Sequence, residues 1–206
     1  LTPTAVATRS DLQLFGTVTD AQLKPLGGVS VTASDAVLHR SVSVFTAVDG
    51  SFHFPSMPPA AYQLRAKRIG YVDGTLDLAA QRGPATAMFT LATMADVTDQ
   101  LPASYFLSLI PWPSKHVQGD FVRTCANCHQ IGNFEFRESR TAAEWETLVN
   151  KMIGYGAVPF FDETRQLLLP TLISTFANNP TFPHFAPPPP PRGDAVRAVI
   201  YEWEID

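Results

Sequence analysis

The chain has 206 residues, 45% of them hydrophobic and 17% charged, with a formal net charge of -4. That length accommodates one large domain or two small ones, and the apolar content suffices for a packed core. The weak, nearly balanced charge excludes nucleic acid as a partner, since that needs a basic face. No apolar run approaches the roughly 20 residues that span a bilayer; the longest, Tyr105 to Trp112, is far too short. The chain opens at Leu1 without a Met or a basic-then-apolar leader, which reads as a mature or trimmed chain whose export signal has been removed.

Residues 1–10 are small and polar and read as a flexible arm. From 11 to 95 the chain reads as strands: Leu12–Val18, Val29–Ala33, Ser41–Phe45, Ser51–Phe54, Tyr62–Ala66 and Ala87–Leu91 alternate apolar and polar. Turn signals separate them, among them Gly27-Gly28, Asp49-Gly50, Pro58-Pro59 and Gly83-Pro84. Short strands at this spacing predict an all-β sandwich. Asp49-Gly50 is a hairpin signal, because glycine accepts the positive φ such turns require.

These residues carry a resemblance. The run LFGTVTDAQLKPLGGVSVTA, followed by TAVDGSFHFPSMPPAAYQLRAKRIGY, resembles the carboxypeptidase regulatory-like domain. The matching positions include Gly16, Val18, Asp20, Gly28-Val29, Thr46, Asp49-Gly50, Phe52, Phe54, Tyr62, Leu64 and Gly70-Tyr71; Ala61 stands where that family usually has Gly. The resemblance implies a small transthyretin-like β-sandwich in an accessory role, without catalysis.

Residues 96–113 read as a linker with a short helix, Ala103–Ile110, stopped by Pro111 and Pro113. From Ser114 to residue 180 the character is helical. One helix runs over Ser114–Asn127 with Ser114 as its N-cap. The next starts at Thr141, where Thr141 and Glu144 make a capping box; its apolar residues Trp145, Leu148, Val149 and Met152 share one face. A third runs from Asp162 to about Ala177 with a bend at Pro170. Residues 181–206 read as a Pro-rich spacer, Pro187–Pro191, and a strand over Ala195–Ile205. In that strand Val199, Tyr201, Trp203 and Ile205 share an apolar face, which predicts pairing with a sheet edge, its own or a neighbour's.

The chain has two cysteines, and both fall in Cys125-x-x-Cys128-His129. This is the spacing of c-type haem attachment: both sulfurs reach one edge of a porphyrin, and the following histidine falls under the iron as proximal ligand. A zinc site would need about four ligands, and no second Cys pair exists. A thioredoxin-like pair would sit in a βαβ context that the helical flanks do not provide. For the sixth ligand Met152 is the choice, on the apolar face of its helix; the alternative is a core methionine. His184 and then His116 are rivals, while His39 and His53 read as surface residues of the sandwich strands. Arg137 and Arg140 are candidates to pair with haem propionates, against solvated loop charges. Trp145 is a candidate N–H donor to a propionate or a plain core residue. Ile131 and Phe134 are candidate haem wall.

The stretch from Leu101 to about Ala177 is similar to a group of bacterial monohaem cytochrome c domains. The shared marks are Cys125-x-x-Cys128-His129, Arg140-Thr141…Glu144-Trp145, and Met152 before Gly-Ala. Its Met152 departs from the commoner pattern, in which the ligand methionine sits in a loop before Pro. Such domains often follow a carboxypeptidase regulatory-like domain and precede a propeller resembling streptogramin lyase, and RAVIYEWEID looks like the strand leading into that propeller. The lyase activity is not carried over. The fold class expected is α+β and multidomain: an N-terminal all-β sandwich, a small all-α cytochrome c domain (114–180) and a C-terminal extended strand.

The expectation is one covalent haem c and single-electron transfer between a donor such as a dehydrogenase and an acceptor chain, rather than an enzyme of its own. Two other readings stay open: a haem enzyme or sensor with a vacant sixth site, and a structural subunit of a haem-containing assembly. The expected partners are redox proteins, with a dehydrogenase or propeller subunit docking on the C-terminal strand. The expected location is periplasmic or extracellular, because haem attachment machinery works outside the cytoplasmic membrane.

Overall fold

The computed structural model describes residues 11–35, 37, 39–126, 130–177, 189 and 191–203, with the backbone alone for Phe134 and Glu135. Its strands among these are β1 (Leu12–Asp20), β2 (Ser30–Asp35), β3 (Arg40–Phe45), β4 (Ser51–His53), β5 (Tyr62–Lys67), β6 (Gly74–Leu78), β7 (Gly83–Leu91) and β8 (Val199–Trp203). They form a three-stranded sheet in the order β4-β1-β7 and a five-stranded sheet in the order β6-β5-β2-β3-β8. β1 runs parallel to β7, and the other pairs are antiparallel. The period-two alternation does what it predicts. In β5, Tyr62, Leu64 and Ala66 are buried and their neighbours exposed. The inward residues of both sheets, among them Leu14, Val18, Val31, Leu64 and Phe89, form one apolar core.

Two sequence signals act differently from a simple ladder. Gly50 has the positive φ expected, +78°, yet the turn joins β3 in one sheet to β4 in the other. It is a corner between sheets rather than a hairpin within one. Gly16, on the central strand β1, has no room for a side chain: a Cβ there would lie 1.8 Å from the Ala87 carbonyl oxygen. Thr46 is fully buried, and its hydroxyl donates to the Leu26 carbonyl at 2.7 Å while accepting from the Val29 N–H at 2.9 Å. β6 was not anticipated, although Leu76 and Leu78 alternate with Thr75 and Asp77; its three central residues are exposed.

The C-terminal strand is shorter than its sequence pattern suggests. Residues Gly193–Arg197 form a 3₁₀ turn, and β8 begins at Val199; Ile205 lies outside the described residues. β8 pairs antiparallel with β3, Val44 opposite Val199 and Arg40 opposite Trp203. Its apolar residues stay exposed, Trp203 by 65%. β8 is outermost in a five-stranded sheet faced by a three-stranded one, so the larger sheet has more face than the smaller can cover.

The chain divides into two compact units. Residues 1–95 and 186–206 form the first, and residues 96–185 the second. The second is helical: α1 (Ala103–Leu109), α2 (Lys115–Cys125), α3 (Phe134–Arg137), α4 (Ala142–Gly154) and α5 (Asp162–Thr175), which continues through Pro170. Its core includes the fully buried Phe106, Phe121, Ile131, Leu168, Leu172 and Phe176. No described helix is long and apolar enough to cross a membrane.

Candidate functional site

Helix α2 delivers the first residue of the cysteine motif. Ser114 caps it, its hydroxyl accepting from the Val117 N–H at 3.2 Å. The buried face is then Val117, Asp120, Phe121 and Thr124, with Cys125 closing the helix beside them. Asp120 ties α2 to α5: Thr164 Oγ1 donates to its Oδ2 at 2.8 Å, and Arg123 Nη2 donates to its Oδ1 at 3.2 Å. The Thr164 hydrogen bond, with Arg123 and His116 nearby, holds the Asp120 carboxyl below its ordinary range.

Helix α4 supplies the facing wall. Its capping box is complete: the Thr141 N–H donates to Glu144 Oε2 at 2.7 Å, and the Glu144 N–H donates to Thr141 Oγ1 at 3.3 Å. With the start of the helix set there, Trp145, Leu148, Val149 and Met152 fall on one face. All four line a cavity of about 460 Å³. Phe121, Thr124 and Cys125 from α2, Ile131 and Phe136, and Tyr155 and Phe160 after α4 complete much of the lining. Phe136 anchors the aromatic packing behind it, with ring centroids 5.0 Å from Phe176, 5.7 Å from Trp145 and 6.0 Å from Phe121.

Five of the residues singled out from the sequence meet on this wall: Cys125, Ile131, Arg140, Trp145 and Met152. Burial pushes the Cys125 thiol up to about 12; it forms no disulfide among the described residues. The Arg140 guanidinium lies over the Trp145 ring, 5.4 Å from its centroid, and donates to Glu138 Oε2 at 2.8 Å. Trp145 Nε1 and Thr124 Oγ1 are buried without a hydrogen-bond partner among the described residues. Leaving such a group unpaired costs about 1–3 kcal/mol.

Other positions fall elsewhere. Arg137 is not on the cavity wall; its guanidinium donates to the Gly132 carbonyl at 2.8 Å and pairs with Asp99. Its Nε and Nη2 are therefore engaged within the protein. Cys128, His129 and His184 lie outside the described residues, as does the side chain of Phe134. His116 is solvent-exposed, 3.4 Å from Asp120 Oδ2. His39 and His53 belong to the sandwich unit and are exposed; His53 stacks on Phe15. Among the described residues no group of three or more His, Cys, Asp or Glu is placed to hold a metal ion. Thr124, Tyr155 and Phe160 were missed. Thr124 adjoins the motif and completes the i, i+3, i+4, i+7 spacing begun by Val117, Asp120 and Phe121, a signal that was available. The other two lie after the helix, where no periodicity points.

Comparison with known proteins assigns the first unit. Residues 13–92 match the family model of the carboxypeptidase regulatory-like domain, the small transthyretin-like sandwich that the sequence resembles there. No curated protein matches the chain. Among solved structures, the Bacillus anthracis TIE protein is similar at 17% identity and TM-score 0.36, over 41% of this chain and 17% of that one. The dioxygenase domain of a dioxygenase–carbohydrate-binding protein fusion from Streptomyces sp. SirexAA-E is similar at 21% identity and TM-score 0.33, over 44% and 85%. Klebsiella pneumoniae 5-hydroxyisourate hydrolase is similar at 18% identity and TM-score 0.32, over 40% and 90%. The chain thus spans about a sixth of the first of these.

Proposed function

We propose that the helical unit holds one covalent haem c and that the protein carries single electrons between a donor, such as a dehydrogenase, and an acceptor chain. The observation that carries this reading is the convergence of Cys125, Ile131, Arg140, Trp145 and Met152 on one cavity. Each was singled out from the sequence for haem, and they come from separate stretches of chain. A volume of about 460 Å³ falls within the ~300–1,000 Å³ usual for ligand and cofactor sites. A lining mainly of aromatic and aliphatic side chains, with Asn133, Glu138, Arg140 and Lys151 among them, suits a porphyrin that carries propionates. The unpartnered Trp145 N–H calls for an acceptor on whatever fills the cavity, and a propionate is one.

Cys125 and Cys128 would form the two thioethers and His129 the proximal ligand, by the spacing of the motif. Met152 would supply a second iron ligand. Arg140 and Trp145 would hold carboxylates, and Ile131 and Phe134 would exclude water. Haem c, when bound, supplies a one-electron couple at its iron. Attachment of this kind takes place outside the cytoplasm, so the protein belongs in the periplasm or beyond. The sandwich is accessory, and its exposed strand β8 offers an edge on which a dehydrogenase or propeller subunit docks by strand addition.

Denaturing mass spectrometry of protein matured in a bacterial periplasm tests the reading. The expected mass is the polypeptide plus one haem, lost when Cys125 and Cys128 are both changed to Ser. A bare polypeptide mass from the unaltered sequence overturns it.

A further inference from the structure

The segment read from the sequence as a linker is built into the wall of the cavity unit. Phe106, on α1, is 1% exposed, and its ring presses on Gly132. A Cβ at Gly132 would lie 1.9 Å from Phe106 Cδ2, and the residue has φ +100°. No other residue type fits both the contact and the backbone. Arg137 closes the arrangement from the far side. Its Nε donates to the Gly132 carbonyl at 2.8 Å, its Nη2 pairs with Asp99, and its guanidinium carbon lies 5.7 Å from the Phe106 ring centroid. Arg137 is 8% exposed. A buried guanidinium is stable only with its hydrogen bonds and countercharge in place, so this one holds three things together: Asp99, the Phe106 ring and the backbone at Gly132. Ile131, one residue before Gly132, and Phe136, one before Arg137, both line the cavity.

From this we infer that Arg137, with Asp99 and Phe106, is a positioning residue for the cavity: it fixes the loop that follows the Cys-x-x-Cys-His motif, and so sets how closely Ile131 and Phe136 close over the bound group. The inference rests on the haem reading for what fills the cavity, and on the geometry alone for the clamp. A loosened wall admits water beside the iron, and a more polar surrounding favours the ferric state and lowers the reduction potential.

Two substitutions in the full holo chain test it. Arg137→Lys keeps the charge and removes the forked donor set. Asp99→Asn alters an exposed side chain and removes the countercharge of the Arg137 guanidinium. Haem content by mass, amide hydrogen exchange over 130–137 and the midpoint potential are measured on both. The expected result is unchanged haem content, exchange faster by about tenfold or more, as loss of a hydrogen bond to a charged group allows, and a lowered potential. Faster exchange with an unchanged potential reduces Arg137 to a structural residue and overturns the positioning role. Unchanged exchange in both variants removes the clamp itself. Should Arg137→Lys fail to fold, the Asp99→Asn readings decide. A wild-type chain without covalent haem defeats the proposed function instead, and the exchange comparison still settles whether the clamp exists.

Discussion

Met152 lies in the last turns of α4, part-buried on the cavity wall, two residues before Gly154 ends the helix. Its thioether is the one soft donor on the α4 face, and it lines the same cavity as Cys125 of α2. Methionine opposite histidine raises a haem potential. If Met152 is that ligand, ferric protein shows the weak near-infrared methionine-to-iron band. Met152→Ala then abolishes the band and drops the potential by on the order of 0.1 V, within the ~0.8 V that axial ligands command. Optical titration checks both; a wild type without the band returns the position to His184. Met152 and Trp145 were legible because a capping box fixes the register of a helix and the register fixes the face. Arg137 was not. Whether an arginine meets a ligand or the backbone depends on what its neighbours need, and the carbonyl of Gly132 and the carboxylate of Asp99 are brought to it only by the tertiary fold.

At the level of elements, the strands with the longest alternation of apolar and polar residues were the legible ones. β5 and β7 announce themselves by Tyr62, Leu64 and Ala66 and by Ala85, Ala87, Phe89 and Leu91. β6 was missed because its alternation is short, Leu76 and Leu78 about Asp77, in a strand of five residues. The Asp49-Gly50 turn was placed correctly and its partners were not, since a local signal specifies a reversal of the chain but not which sheet receives the next strand. β8 is the converse case. Its pattern identified a strand seeking an edge, and the edge is β3. The pairing makes a definite prediction. Amides of Val199–Trp203 that point at β3 exchange slowly, while those that point outward and those of Gly193–Arg197 exchange fast. Hydrogen exchange resolved to single amides checks this, and uniformly fast exchange over 199–203 removes β8 from the sheet.

Acid distinguishes the two units of the molecule. Hydrogen bonds from Thr98 hold Asp96 low, one from Thr164 holds Asp120 low, and those from Thr141 hold Glu144 low; all three lie within residues 96–185. In the sandwich unit the corresponding case is Asp49, held low by Ser51. A carboxyl whose pKa is depressed in the folded state binds fewer protons there than when unfolded. Its contribution is therefore present above the unfolded value, near 4, and is lost as pH falls through the lower, folded one. The slope of stability against pH below about 4 follows how many protons unfolding takes up, so it is steeper for the helical unit. Thermal melts followed at 222 nm from pH 7 to pH 3 should show the helical signal losing more of its midpoint than the strand signal. Thr164→Val isolates one of these terms: it deletes the hydroxyl that donates to Asp120 and keeps the side-chain shape. The variant melts lower than wild type at pH 7, and the gap narrows as the pH falls below about 4 toward the lowered pKa of Asp120, because protonated Asp120 no longer gains from the bond. A constant gap across that range assigns the loss to packing around Thr164 and not to the carboxylate.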